Sequence, residues 1–231
     1  MKIPRENTAR TSGRLLEAAG EIFAEKGFRD ATIAEICVKA GANVAAVNYH
    51  FGSKKALYSE AWRHAFAQSI QAHPPDGGVA ADAPPEERLR GQVASLLRRI
   101  ADDKNREIRF MQREFTNPTG LLKEVIREEI RPLQQRTESL VRELLGPQAS
   151  DADVQFCEVG IISQCINPTV IRSRSKEGQE NQDAPRKIDD IEAYARHVVT
   201  FSLAGITAVR AAAEARREGR KTKSPGKRSR P

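Results

Sequence analysis

Cysteine, histidine and aromatic residues are all scarce in this chain, and each scarcity removes a class of protein. Only three of 231 residues are cysteine, and Cys37, Cys157 and Cys165 form an odd, scattered set without a C-x-x-C pair. Neither a disulfide framework nor a zinc site is therefore indicated. Cys157 and Cys165, two turns apart on one expected helix, share a face but stand too far apart to bridge. The four histidines, His50, His64, His73 and His197, show no H-x-x-x-H spacing, so no metal and no cofactor is expected. Aromatic residues make up 5% of the chain, beside 39% hydrophobic and 30% charged, a balance that suits a helical globular protein.

Long apolar runs are missing too. Nowhere do about eighteen apolar residues follow one another, and the opening MKIPRENTARTSGR has no signal-like apolar segment. The expectation is a cytoplasmic, nucleoid-associated protein with no membrane partner. No combination of nucleophile, base and orienting group and no phosphate loop is visible, which argues against an enzyme.

Charge is present but unevenly placed. Residues 216–231 hold eight Lys/Arg and one Glu, which accounts for the whole net charge of +7. Residues 1–73 carry ten basic and seven acidic side chains. Net charge by itself is thus a weak argument for nucleic-acid binding.

Helical periodicity dominates the chain. Leu15, Leu16, Ala19, Ile22 and Phe23 line one face of a first helix that Gly27 stops, with Phe28 folding back as the apolar residue of its cap. Thr32-Ile33-Ala34-Glu35 reads as a capping box. It opens a short second helix with the stripe Ile33, Ile36, Cys37 and Ala40, ended by Gly41. Asn43 caps a third, from Val44 to about residue 50, and Ser53 caps a fourth in which Tyr58, Trp62, Phe66 and Ile70 recur every four residues. The Pro- and Gly-rich stretch 74–85 reads as a linker. Beyond it, helices are expected over 86–102, 106–115, 121–145, 151–173 and 188–213, the third of these kinked or split at Pro132.

The fold class expected is all-α. An N-terminal three-helix DNA-binding domain (8–68), a connecting helix end and linker (69–85), a C-terminal helical domain (86–213) and a disordered basic tail (214–231) follow one another.

The most informative feature is the pair of short helices joined by Gly41-Ala42-Asn43 and braced by an amphipathic helix on each side. A small turn residue lets two helices cross closely and offers the second to the DNA major groove. The stretches AAGEIFAEKGFRDATIAEICVKAGA and VNYHFGSKKALYSEAW, above all Tyr49-His50-Phe51-Gly52-Ser53-Lys54, closely resemble the DNA-binding domain of the TetR family across residues 11–66. REFTNPTGLLKEVIREEIRPLQQRTESLVRELLG, FCEVGIISQCINPTVIRS and IDDIEAYARHVVTFSLAGI resemble the C-terminal domain of the CecR-like branch over most of 110–206.

The resemblance implies roles. Val44, Ala45, Asn48 and Tyr49 face the bases and near backbone, with Asn48 the best direct reader because an amide pairs bidentately with adenine. Tyr49, His50 and Lys54 match phosphate-binding positions. Thr32 and the free N–H groups beside it suit another phosphate. Asn48 and Asn43 depart from the commoner family pattern, in which an aromatic residue and a serine are frequent.

The resemblance also implies a homodimer formed by the last two long helices, where Gly160, Ala204 and Gly205 would allow close approach. A small-molecule effector would sit in the C-terminal domain, with Arg109, Phe110, Arg113, Phe115, Gln164 and Asn167 as candidate pocket residues. The function expected is a repressor released from a palindromic operator. The alternative is an architectural DNA binder without effector, anchored by the basic tail.

Overall fold

The computed structural model describes residues 5–175, 188 and 190–222, with side chains described over 8–167, 188 and 190–219. Among the described residues the chain is all-helical. The helices are α1 (Arg5–Asp30), α2 (Ile33–Ala40), α3 (Val44–Phe51), α4 (Lys54–Ala72), α5 (Pro85–Ala101), α6 (Arg106–Thr116), α7 (Lys123–Leu145), α8 (Asp151–Ser175) and α9 (Ile191–Thr222). They group into two compact units. The first lies within Met1–Pro74 and Arg99–Pro132, the second within Pro75–Arg98 and Leu133–Pro231.

The first unit is organised by an aromatic block. Leu15, Ala19, Ile22 and Phe23 on α1 are buried, as are Tyr58, Trp62 and Phe66 on α4, so both expected stripes face inward. α1 is broken at Gly27 (φ 77°, ψ 178°), and this turns Phe28 back toward Tyr58, their ring centroids 5.0 Å apart. Tyr58 packs edge-on to Phe23 at 4.9 Å and against Phe110 of α6 at 4.8 Å. Each such buried ring contributes roughly 1.5–3 kcal/mol through the area it removes from water.

Polar groups then fix α6 to this block. The Asn105 side chain caps α6, accepting from the Glu107 backbone N–H at 3.0 Å, and donates to Ser69 Oγ at 2.8 Å and to the Arg99 carbonyl at 3.0 Å. Glu114 accepts from the Tyr58 hydroxyl (3.0 Å), from Thr119 N–H and hydroxyl (both 2.9 Å) and from Gly120 N–H (3.0 Å). Arg106 bridges to Glu17 and Glu21 of α1. Glu107 is buried beside the equally buried Arg99, 3.6 Å away. Burial pushes its carboxyl above the usual range, an effect that Arg99 opposes.

The second unit has an aliphatic core: Leu89, Val93 and Leu97 of α5, Leu140, Val141, Leu144 and Leu145 of α7, Val154, Ile161 and Cys165 of α8, and Val198, Val199 and Ile206 of α9. Ion pairs lie over it, Arg88 to Glu143 at 2.6 Å and Arg98 to Glu192 at 2.6 Å. Pro132 lies inside α7 and is the last residue of the first unit.

The stretch expected to be a linker is a docked turn. The Asp76 carboxylate accepts from Gly78 N–H at 2.8 Å, and Gly77 (φ 63°) lies so close to Gly91 of α5 that a Cβ on either glycine would overlap the opposite backbone. Only glycine fits both requirements at 77.

The tail is corrected in part. α9 runs to Thr222, so 214–222 is helix where disorder was expected. Ala211 to Arg217 is rich in strong helix formers, and Arg216 is held by Asp153 at 2.7 Å. Residues 223–231 and the polar run 176–187 lie outside the described residues. One stretch, Ile191–Gly219, is long and apolar enough by composition to cross a membrane, with an 18-residue window of mean hydropathy 1.3 that is 28% buried.

Candidate nucleic-acid interface

The two short helices are held by side chains chosen for their ends. Thr32 Oγ1 accepts from the Glu35 backbone N–H at 3.2 Å, while the Glu35 carboxylate accepts from Thr32 N–H (3.0 Å) and from the Thr32 hydroxyl (2.9 Å). This completes the expected capping box. Lys26 donates to the other Glu35 oxygen at 2.5 Å, and with the Thr32 bonds it holds that carboxyl down to about 2. The Thr32 hydroxyl proton is therefore committed to Glu35, and a phosphate at this helix start would compete for it.

Gly41 ends α2 in the left-handed region (φ 58°, ψ 42°), with its N–H and that of Ala42 returning to the last carbonyls of α2. A side chain at this φ is strained, which is why glycine makes the turn. Asn43 starts α3, its Oδ1 accepting from Ala46 N–H at 2.8 Å. Asn43 itself is exposed.

Along α3 one residue is buried, four are exposed and Ala46, His50 and Phe51 are half-buried. Val47 is 1% exposed and packs into the unit, while Val44, Ala45, Asn48 and Tyr49 are exposed. Tyr49 is 77% exposed, its ring edge-on to His50 at 5.0 Å. Asn48 makes no side-chain hydrogen bond among the described residues. The four positions expected to meet DNA thus share one outward face of a rigid helix.

Lys54 is more constrained than its expected phosphate role requires. Its ammonium lies 4.6 Å from the Phe28 ring centroid and 3.5 Å from the Arg29 carbonyl, a cation–π contact that ties the start of α4 to the end of α1. Val38, 82% exposed on α2, was not singled out from sequence. The signal was available, since 100° per residue sets it off the stripe of Ile33, Ile36, Cys37 and Ala40.

The six candidate pocket residues are not gathered by either unit. Arg109, Phe110, Arg113 and Phe115 are on α6 in the first unit, and Gln164 and Asn167 are on α8 in the second. Phe110 is fully buried, its ring packed against Phe23 and Tyr58. Arg109, Arg113, Phe115 and Asn167 are exposed. Gln164, bonded to the Gly160 carbonyl at 3.1 Å, lines an open apolar groove of about 250 Å³ between α8 and α9 with Phe156, Cys157, Phe201 and Ser202. Burial pushes the Cys165 thiol up to about 12 and raises Cys157 as well, which disfavours the reactive thiolate. Among the described residues no three His, Cys, Asp or Glu side chains are gathered as metal ligands.

Two helices crossing at a glycine turn, the second with a bare outer face and both braced by α1 and α4, define the helix-turn-helix class. Comparison with known proteins narrows this. Residues 15–61 match the family of bacterial regulatory proteins named for TetR, and 85–206 match the C-terminal domain of the HTH-type transcriptional dual regulator CecR. A relative described as the HTH-type transcriptional dual regulator CecR of Shigella flexneri is 30% identical over 148 residues, which is 60% of this chain and 66% of that protein, just under two thirds of its length. Similar solved structures include a TetR-family transcriptional regulator of Mesorhizobium loti (TM-score 0.64, 20% identity, 85% of this chain and 96% of that one). Another is a transcriptional regulator of Pseudomonas aeruginosa (TM-score 0.64, 16% identity, 93% and 95%). The chain belongs to the TetR family of transcriptional regulators, in the branch with a CecR-type C-terminal domain.

Proposed function

We propose that this protein is a homodimeric transcriptional repressor that holds a palindromic operator and releases it when a small-molecule effector binds the C-terminal domain. The observation that carries the DNA-binding part is α3. An eight-residue helix, capped at both ends and anchored by Val47, exposes Val44, Ala45, Asn48 and Tyr49 on one side. Asn48 reads a base edge. Val44 and Ala45 meet thymine methyls, or the groove where its shape is permissive. Asn43, Tyr49, His50, Lys54 and the start of α2 at Thr32 set the register on the phosphates.

Dimerisation is supported by α8 and α9. Phe156 (71% exposed), Val159, Ile166 and Phe201 are large apolar side chains left open to solvent, and the groove beside them contains the buried Ser202 hydroxyl, which has no hydrogen-bond partner among the described residues. A second copy covers such a face by symmetry. Two α3 helices one helical turn apart then sum their contacts on a palindrome. Effector release is a population shift between operator-fitting and non-fitting forms of the dimer, and it requires that the effector bind one form better. Such a protein works in the cytoplasm, where its operator is.

The test is selection of bound fragments from a random duplex library at near-physiological salt, comparing the wild-type chain with Tyr49→Ala. A discrete inverted repeat that is lost in the variant is the expected result. Enrichment of no motif by the wild-type chain would overturn the reading.

A further inference from the structure

Phosphate neutralisation supplies most of the affinity of a DNA-binding head, so it matters which of its cations are available. Lys26 is paired with Glu35 and Lys39 with Glu21, both at 2.5 Å. Arg63 is held by Glu60 and Glu128, and Lys54 rests on Phe28 and the Arg29 carbonyl. Four side chains remain exposed without a hydrogen bond or ion pair among the described residues: Arg10, Arg14, Arg29 and Lys55.

One of these is placed by the helix-turn-helix itself. The Arg14 guanidinium lies against the turn that feeds the recognition helix, where Nη1 would be 3.7 Å from a Cβ built on Gly41. α1 carries it there because Leu15, the next residue, is fully buried and sets the helix rotation. Arg10 lies one turn earlier on the same face. Both are exposed, and among the described residues neither is neutralised by a carboxylate.

Resting on the DNA-binding reading above, we propose that Arg14, assisted by Arg10, forms a phosphate-binding site at the α2–α3 turn that clamps the DNA backbone beside the groove entered by α3. A guanidinium fork matches two phosphate oxygens at once, which an ammonium does not. The site adds a third supporting element, α1, to the phosphate contacts expected from α2 and from the α3–α4 junction. It is indifferent to base sequence, so it strengthens operator and non-operator binding alike. The competing role is structural, a positive group resting near the C-terminal end of α2 and its partial negative charge.

The two roles separate in the salt dependence of binding. Full-length wild type, Arg14→Gln, Arg14→Lys and the double variant Arg10→Gln/Arg14→Gln are titrated with a mixed-sequence duplex and with a fragment selected by the wild type, each over a salt series, with thermal melting recorded in parallel. Arg14→Gln weakens both duplexes by the same factor and makes the slope of log K against log salt shallower by about 1.8, the change that follows when two phosphates, one for each protomer of the dimer, are no longer neutralised. The double variant changes the slope by about twice that amount, Arg14→Lys recovers most of it, and melting is unchanged. An unchanged slope in Arg14→Gln overturns the site, whether or not melting falls, because a brace alone leaves the number of neutralised phosphates intact. Failure of the wild-type chain to bind either duplex would instead sink the DNA-binding reading, and the site with it.

Discussion

The outer face of α3 and the outer face of α8 and α9 are both open to solvent, yet they are made of different materials. On α3 the exposed groups are small or polar apart from the Val44 side chain and the Tyr49 ring, and they occupy two turns of a helix whose ends are fixed by Asn43 and Ser53. Along α8 and α9 the exposed groups are Phe156, Val159, Ile166 and Phe201. The first face can stay in water and meet a polar, charged partner reversibly. The second is costly to leave bare, at about 25 cal/mol for each Å² of apolar surface, and calls for a partner that stays. The units beneath differ in the same sense, with an aromatic block clamped by polar bonds under α3 and an aliphatic core under α8 and α9.

The hardest way to break this comparison is through Phe110. If α6 serves the aromatic block, Phe110→Ala lowers the unfolding free energy by about 3–5 kcal/mol in urea titrations, and operator binding fails with no effector present. A loss below about 1 kcal/mol would return Phe110 to a lining role. Next in size is the contrast between faces. Phe201→Glu places a charge on the apolar side, so the chain elutes as a monomer by light scattering and operator affinity drops by roughly a hundredfold or more as the second head is uncoupled. A persistent dimer would show that the partner surface is elsewhere.

The smallest effect sharpens the account of the helix ends. Glu35 is held down to about 2, first by Lys26 and then by Thr32, so its folded value lies below its ordinary one of 4.5. The stabilisation it provides is present above that ordinary value and is lost as pH falls toward the folded one. Glu35→Gln should therefore lower the urea midpoint at neutral pH, and the gap from wild type should close over that acid interval. A gap that does not change with pH would mean that the carboxylate charge has no part in it.

Local signals in the sequence carried over well where one stretch of chain satisfies itself. Thr32 and Glu35 cap each other, Asn43 caps its own helix, and the four-residue recurrence of Tyr58, Trp62 and Phe66 needs only a face to be buried. The outward face of α3 was legible for that reason. Long-range choices were not. α6 is amphipathic, but nothing in 106–116 says whether Phe110 will meet Phe23 and Tyr58 or the helices that follow. Lys54 offers a cation to any acceptor, and its place over Phe28 exists only once Gly27 has turned the end of α1. The freedom of Arg14 is likewise invisible until the carboxylates near the other cations have chosen their partners.

The Gly77–Gly91 contact changes how the proline- and glycine-rich interval should be regarded. Two backbones meet there with no room for a Cβ on either side, as a button meets its buttonhole. A substitution at either must be answered by displacement of the whole turn, not by a change at the other. The interval also supplies no slack: a reporter spliced in at 77–79 would prise the turn off α5, whereas one placed at the exposed residues 80–82 would ride outside the fastening.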